Sequence, residues 1–452
     1  MLRISSLMLI VVLAVGTLHA QNAERITLEQ AINIALENNI ILKQAENRML
    51  IQDANVRSAQ MDFLPNLNFG LNGSRNTGRQ FIQETLTYDD LTSLSSGASL
   101  SSNVVVFDGL RNINNLRATQ TTKLSAEETL QRSRENVIFN TASTYLNVLL
   151  NQELLGIAKQ NLEASQKQLE QVKAQVEVGM RPMVDLYNQE AVVANNEFQI
   201  VERENALNIS IIQLVRVMAI DPMKEYEFVT PGINEDELEV KSFNLNQLIQ
   251  YAMANRSDLK SSESQIKVSQ YNVRIARGAL LPTLSLSGSL SGRYSDQFFE
   301  RNASNQLIDV GYFDQVLDRQ RSYSFGFNLQ IPIFNRYNNT RNIQASQVEF
   351  KNALLDLEAK KLEINQEVRQ AYNDYLSASK QLDTTERALT AASKAYETEQ
   401  ERYRVGASTL IELTRANAEF VSASSNRVQA IYRFVFQEKL LDYYLGQVAT
   451  TL

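Results

Sequence analysis

From Phe350 onward, apolar side chains recur at alternating steps of four and three residues. The series visits Leu354, Leu357, Lys361, Ile364, Val368, Ala371, Tyr375 and Ala378, then Leu382, Thr385, Leu389, Ala392, Tyr396, Glu399 and Tyr403. Lys361, Thr385 and Glu399 are its only breaks. A period of about 3.5 sustained this long fits either a left-handed coiled coil or the core stripe of a helical bundle. The stretch that carries it, Asn335 to Val405, has no glycine or proline until Gly406. A second stretch, Leu110 to Val178, contains only Gly156 and stops at Gly179-Met180-Arg181-Pro182. As uninterrupted helices these are rods of about 100 Å, and their density of Lys, Glu, Gln and Asn excludes a membrane-spanning helix. The pattern predicts an elongated protein.

Elsewhere the period changes. Thr27-Leu28-Glu29-Gln30 fits a capping box and opens a helix predicted over Leu28–Leu64, stopped by Pro65. Beyond Pro65, Leu67, Phe69 and Leu71 alternate with Asn66, Asn68 and Gly70. Beyond Pro282, Leu284, Leu286 and Leu290 alternate with serines, and Tyr323, Phe325, Phe327, Leu329 and Ile331 do the same before Pro332. With the noisier Gly97–Val106, this predicts four strands of about ten residues, the length that crosses a bilayer when tilted. A half-buried strand of a soluble sheet gives the same alternation. The glycine-serine pleat and the aromatics Tyr294, Phe298, Phe299, Tyr312 and Phe313 near strand ends favour the membrane reading. Arg75–Ser96 and Ser295–Arg321 read as exposed polar loops, and Asp108 and Asn335 as N-caps of the rods.

The pattern occurs twice. Leu28–Pro65 aligns without gaps on Leu245–Pro282 at an offset of 217, with 14 identities in 38 positions. Phe107 and Val178-Gly179 return as Phe334 and Val405-Gly406. The chain therefore reads as one long unit duplicated, with boundaries at 21–230 and 231–452. Each copy is a long helix flanked by two shorter ones, Leu28–Leu64 and Pro182–Ile220 in the first, Leu245–Leu281 and Thr409–Leu445 in the second.

The amino terminus changes the chemistry that is open to the chain. Arg3, an apolar run from Leu7 to Leu18 and Leu18-His19-Ala20 form a secretory signal peptide over residues 1–20, cleaved after Ala20. The only histidine leaves with it, and the chain has no Cys and no Trp. Histidine and thiolate metal sites, disulfides and Ser-His or Cys-His nucleophiles are thereby excluded. The net charge of −7, one unit more negative once Arg3 is removed, disfavours nucleic acid as a partner. No cofactor or metal is expected, and no enzymatic activity. Four strands cannot close a barrel, and open edges do not survive in lipid, so the chain must oligomerise. Two, three and four subunits all satisfy that requirement.

This order of elements resembles the TolC-like outer-membrane factors, and the resemblance covers essentially the whole mature chain. Its marks are the duplicated Leu-Pro followed by an alternating strand, the tips Val178-Gly179-Met180 and Tyr403-Arg404-Val405-Gly406, and Val184-Asp185-Leu186 and Ile411-Glu412-Leu413 downstream. The resemblance implies long coiled-coil hairpins forming an α-barrel tunnel, and a 12-stranded β-barrel closed by a homotrimer. It implies an outer-membrane exit duct for a tripartite efflux pump or type I secretion system, with the tunnel in the periplasm. The implied partners are a periplasmic adaptor (membrane fusion protein), an RND or ABC inner-membrane transporter and outer-membrane lipid. An equatorial collar would fall on Asp221–Phe243 and the C-terminal tail. Ser408 and Arg415 depart from the family pattern, which carries a basic residue and a second Asp there, and so alter the charge of the entrance.

Two sets of site residues follow. Val178, Gly179, Met180, Val405, Gly406 and Ala407 would form the adaptor-docking tips, although the glycines equally serve plain turn chemistry. Asp185 and Glu412, each six residues after a tip glycine, would form a carboxylate gate braced by Arg181, Tyr403 and Arg415, with Arg415 pairing with Glu412. Helix capping alone also accounts for both acids. A trimeric, outer-membrane-anchored structural or adhesive stalk is the rival function; it explains the rods but not the four strands.

Overall fold

The computed structural model describes residues 24–82, 86–229 and 238–447. The predicted signal peptide, part of the predicted collar and the end of the C-terminal tail lie outside the described residues. Two compact units emerge. The described residues of one fall within Met1–Lys43, Arg134–Leu248 and Val368–Leu452; the other is Gln44–Ser133 with Ile249–Glu367.

The second unit holds an antiparallel sheet of four strands in the order β2-β3-β5-β8: β2 (Asn68–Ile82), β3 (Thr87–Phe107), β5 (Thr283–Ser295) and β8 (Arg321–Gln330). The first hairpin is far longer than the expected ten residues. β2 has 15 and β3 has 21, so most of the predicted loop Arg75–Ser96 is strand. Its polar residues pair across the ladder. Ser74 bonds Ser95 at 2.8 Å and Thr77 bonds Thr92 at 3.1 Å through their hydroxyls, as Ser289–Ser324 and Ser291–Ser322 do in the other hairpin. The predicted loop Ser295–Arg321 likewise contains structure: a small hairpin of β6 (Phe299–Arg301) and β7 (Leu307–Asp309), then a helical turn α7 (Tyr312–Asp314) continued as a π turn over Gln315–Arg319.

Alternation and register give the sheet two unlike faces. Leu100 opposes Leu290, which opposes Tyr323; Leu286 opposes Phe327 and Leu284 opposes Leu329. Phe325 (97% exposed), Phe327 (75%) and Tyr323 (70%) stand on this apolar face. Asn72, Ser99, Ser289, Ser291 and Ser324 stand on the other.

The long helices are α3 (Arg111–Glu177) and α8 (Asn338–Arg404), each of 67 residues, starting slightly later than expected. The delay has one cause in both copies. At the strand-to-helix corner, Gly109 and Leu110 hold φ of 73° and 65°, and Arg336 and Tyr337 hold 55° and 68°. These two consecutive left-handed residues turn the chain before Asp108 Oδ2 accepts the Asn112 amide at 2.8 Å as a cap. Asn335 Oδ1 plays a weaker part, accepting from Asn339 N at 3.5 Å.

Both shorter helices preceding the strands are broken, contrary to the single helices expected. The first is α1 (Leu28–Asn38) then α2 (Ile40–Met61); the second is α5 (Leu245–Asn255) then α6 (Ser257–Gly278). The break residues Asn39 (φ −58°, ψ 123°) and Arg256 (φ −63°, ψ 124°) occupy equivalent repeat positions. Asn39 Oδ1 accepts from the amides of Ile41 and Leu42 at 2.9 and 3.2 Å, starting the new helix, and its Nδ2 donates to Val217 O at 3.2 Å. Arg256, 2% exposed, instead reaches inward to Asp258 at 2.6 Å and to Glu367.

In the first unit α3 and α8 turn back as α4 (Met183–Met218) and α9 (Leu410–Leu445). The four-three series on α8 is its packing seam: Ile364, Val368, Ala371, Tyr375, Ala378, Leu382 and Tyr403 are buried, whereas Leu354 and Lys361 are exposed. Tyr375, Ala378 and Leu382 pack with Ile431 and Phe434 of α9. Tyrosines also fix non-helical segments to the helices. Tyr145 reaches Ile26 O at 2.9 Å and Val229 O at 2.7 Å, beside the parallel pair of β1 (Glu24–Ile26) and β4 (Tyr226–Phe228). The Tyr375 hydroxyl accepts from Lys241 N at 2.9 Å and donates to Lys241 O at 3.2 Å. The fold is mainly α with a small β part, and its breaks and corners recur in both copies.

Candidate functional site

The expected tips are where both hairpins turn. Gly179 and Gly406 hold φ of 74° and 75°, the left-handed region a side chain resists. Around each runs the same pair of bonds. Met180 N donates to Gln175 O at 2.8 Å and Gly179 N to Val176 O at 2.9 Å; Ala407 N donates to Arg402 O at 2.8 Å and Gly406 N to Tyr403 O at 3.1 Å. This is the Schellman pattern, which satisfies the carbonyls that a helix end leaves free. The side chains beside the glycines take no part in it. Val178 is 70% exposed, Met180 76% and Val405 67%, so the turns present bare apolar side chains.

Behind the tips the hairpins pack on a small core of Val172, Tyr403, Leu410 and Leu413, flanked by Val176, Leu186 and Tyr396. Three of the predicted gate residues meet here. Arg181 bonds Asp185 at 3.4 Å and Gln175 Oε1 at 3.0 Å, and its guanidinium lies 4.3 Å from the Tyr403 ring centroid. That is a cation–π contact on a residue only partly open to water. Burial raises the pKa of Tyr403; Arg181 opposes this and Asp185 adds to it. Tyr403 Oη and its neighbour Gln168 Nε2 are both buried without a hydrogen bond of normal geometry.

The other two are arranged differently. Glu412 closes a capping box with Thr409: Thr409 N donates to Glu412 Oε2 at 2.9 Å, and Glu412 N donates to Thr409 Oγ1 at 3.2 Å. Ser408 Oγ donates to the same carboxylate at 3.0 Å. The Thr409 amide first, then the Ser408 and Thr409 hydroxyls, hold the exposed Glu412 carboxyl below its ordinary pKa. Arg415 does not pair with Glu412 as expected. It lies one turn along an exposed face and bonds Glu419, four residues on, at 3.2 Å, while the Glu412 carboxylate is turned back to Ser408 and Thr409.

Sequence reasoning missed two contributors. Glu399 binds Ser408 Oγ and pairs with Arg402 at 2.9 Å, tying the last turn of α8 to the start of α9. Its signal was an acid standing on a mostly apolar seam. Farther from the tips, Asn417 donates to Asn161 at 2.9 Å, Asn161 to Asn196 at 3.1 Å and Asn196 to Ser165 at 2.9 Å, joining α3, α4 and α9. No spacing rule singles out these amides in a chain rich in Asn and Gln.

The tips thus offer an apolar surface on a rigid turn and, just behind it, one carboxylate from each copy. No helix among the described residues is long and apolar enough to cross a membrane, and among them no cluster of His, Cys, Asp or Glu could hold a metal ion.

Comparison with known proteins gives a consistent picture. A family model described as outer membrane efflux protein matches residues 31–219 and 248–447, segments that start 217 residues apart, the offset of the internal repeat. The outer membrane efflux protein BepC of Brucella suis biovar 1 is 24% identical over 420 residues, 93% of this chain and 85% of BepC. The pyoverdine export outer membrane protein OpmQ of Pseudomonas aeruginosa is 24% identical over 413 residues, 89% of this chain and 81% of OpmQ. A solved structure of CusC superimposes with a TM-score of 0.78 at 21% identity, covering 93% of this chain and 92% of that one.

Proposed function

Since this chain belongs to the outer membrane efflux protein family, we propose that it is the exit duct of an export machine, a homotrimer whose strands close one barrel in the outer membrane and whose helices line a periplasmic tunnel. Members of the family are channels, not enzymes. One observation carries the reading. β2 and β8 are the open edges of a sheet whose apolar face exposes Tyr323, Phe325 and Phe327 while its opposite face is serine and asparagine. A lipid-facing sheet cannot keep open edges, and three copies of four strands close a barrel with the hydroxyl face inward.

The finer assignments rest on the tips. Val178, Gly179, Met180, Val405, Gly406 and Ala407 dock a periplasmic adaptor, which in turn joins the duct to an RND or ABC inner-membrane transporter serving efflux or type I secretion. Asp185, with Arg181 and Tyr403 beside it, and Glu412 form the carboxylate ring at the tunnel entrance, with Arg415 at its margin. The chain divides into structural repeats at 21–230 and 231–452. The pyoverdine in OpmQ's name is not carried over, because 24% identity supports a shared channel rather than a shared cargo.

The test is single-channel recording of the detergent-purified protein in planar bilayers, alongside native mass spectrometry. A conducting trimer is expected. A non-conducting trimer leaves only the stalk, and an exclusively monomeric protein overturns the reading.

A further inference from the structure

The segment between β7 and β8 lies on the wrong side of the sheet for a loop that guards a pore. Gly292 stands between Leu290 and Tyr294 on the apolar face, and a Cβ built on it would clash with Val316 O. A glycine is therefore required where the π turn presses against the strand. The Tyr312 ring packs on Tyr294 at 5.0 Å, and Ser96, which pairs with Tyr294 in the ladder, donates to Tyr312 Oη at 3.1 Å. All three contacts belong to the apolar face. Gln315, fully buried, then fastens the turn. Its Nε2 donates to Val310 O at 2.8 Å and Ser295 O at 3.2 Å, and its Oε1 accepts from Ser295 N at 3.0 Å and Gln320 Nε2 at 2.8 Å.

With Val310, Gln315 and Val316 turned inward, Phe313 (73% exposed) and Leu317 (65%) point away from the sheet, four residues apart on one side of the turn. Phe299, Leu307 and Ile308 of the preceding β6–β7 hairpin are exposed as well. A rigidly held turn has no folding reason to display these side chains, so their partner lies outside the chain.

We propose that residues 311–320 are a lipid anchor: a turn fixed to the outside of the barrel rim that sets Phe313 and Leu317 into the outer leaflet. The inference rests on the barrel reading above and adds a second, lateral lipid contact to it. Continuity selects lipid over a protein partner. The turn sits directly at the end of the face that carries Leu290, Phe325 and Phe327, so its apolar side extends a surface already assigned to the bilayer. Anchors of this kind bury their apolar side about 5–10 Å into the boundary between headgroups and acyl chains.

The absence of tryptophan from the chain makes the test direct. Single-tryptophan variants Phe313→Trp and Leu317→Trp are reconstituted as trimers in phosphatidylcholine vesicles with and without acyl-chain bromine. Phe325→Trp serves as the bilayer control and Ser304→Trp, in the exposed β6–β7 turn, as the water control. Blue-shifted emission that is lost in brominated bilayers at 313 and 317, as at 325 and unlike 304, is expected. Quenching at 325 but not at 313 or 317 overturns the anchor and leaves the barrel intact. No quenching at 325 removes the barrel reading and the anchor with it. Emission at 313 that ignores bromine but follows the protein-to-lipid ratio assigns the patch to a second copy and also overturns the anchor.

Discussion

Asp442, on α9, has Lys439 and Lys241 close enough to favour its charge, yet burial outweighs them and raises its pKa. A carboxyl that holds its proton more tightly when folded makes the native state less stable as pH rises through the interval between its unfolded and folded pKa values. Asp442→Asn is therefore expected to raise the melting temperature at neutral pH, with the gain vanishing in acid below both values; a lower melting temperature at neutral pH would show that its lysine contacts prevail. Asp258 and Glu412 act in the opposite sense. Burial opposes the Asp258 charge, but its bonds to Arg256 lower its pKa, and Thr409 lowers that of Glu412. Their stabilisation is present above the unfolded carboxyl pKa and is lost as pH falls through the folded one. Arg256 explains why the second copy tolerates its helix break: burial works against the guanidinium, yet Asp258 and Glu367 hold it charged. Arg256 carried little signal of this in the sequence: Asp258 stands two residues on, but the second carboxylate, Glu367, is 111 residues away.

Caps and turns were legible because their chemistry is local. Thr27–Gln30 and Thr409–Glu412 form the capping boxes their spacing implies, and each tip turns on its glycine. Extents of elements were less so. Ser, Thr and Asn between Arg75 and Ser96 look like loop until a partner strand supplies hydroxyl pairs, and Arg336-Tyr337 gives no hint of consecutive left-handed residues. The tips themselves separate turn chemistry from docking. Gly406→Ala must force a side chain into the left-handed region, at roughly 1–2 kcal/mol, and is expected to lower thermal stability. Val405→Asp leaves the turn intact, because Val405 contributes only its backbone there. It should give a folded trimer of unchanged melting temperature that no longer supports export in cells, and full export by that trimer would refute docking at this turn.

At the scale of the whole molecule the duplication sets the count: one acid per copy, which in the proposed trimer would bring six to the entrance. Crowded carboxylates attract cations and repel anions, so Asp185→Asn combined with Glu412→Gln is expected to weaken cation preference in bilayer recordings. Glutamine also fits the capping box, which lets the substitution remove charge at Glu412 while preserving the helix start. Unchanged permeability ratios would leave these acids as caps. The sheet carries a different consequence, one of time. Ser101 pairs with Ser289, so the β3–β5 ladder closes a loop of about 190 residues, whereas each helical hairpin joins neighbours across one turn. Local contacts form fast and distant ones late. The helices are thus expected to form while β3 and β5 still face each other unpaired, and that interval is where misassembly would begin.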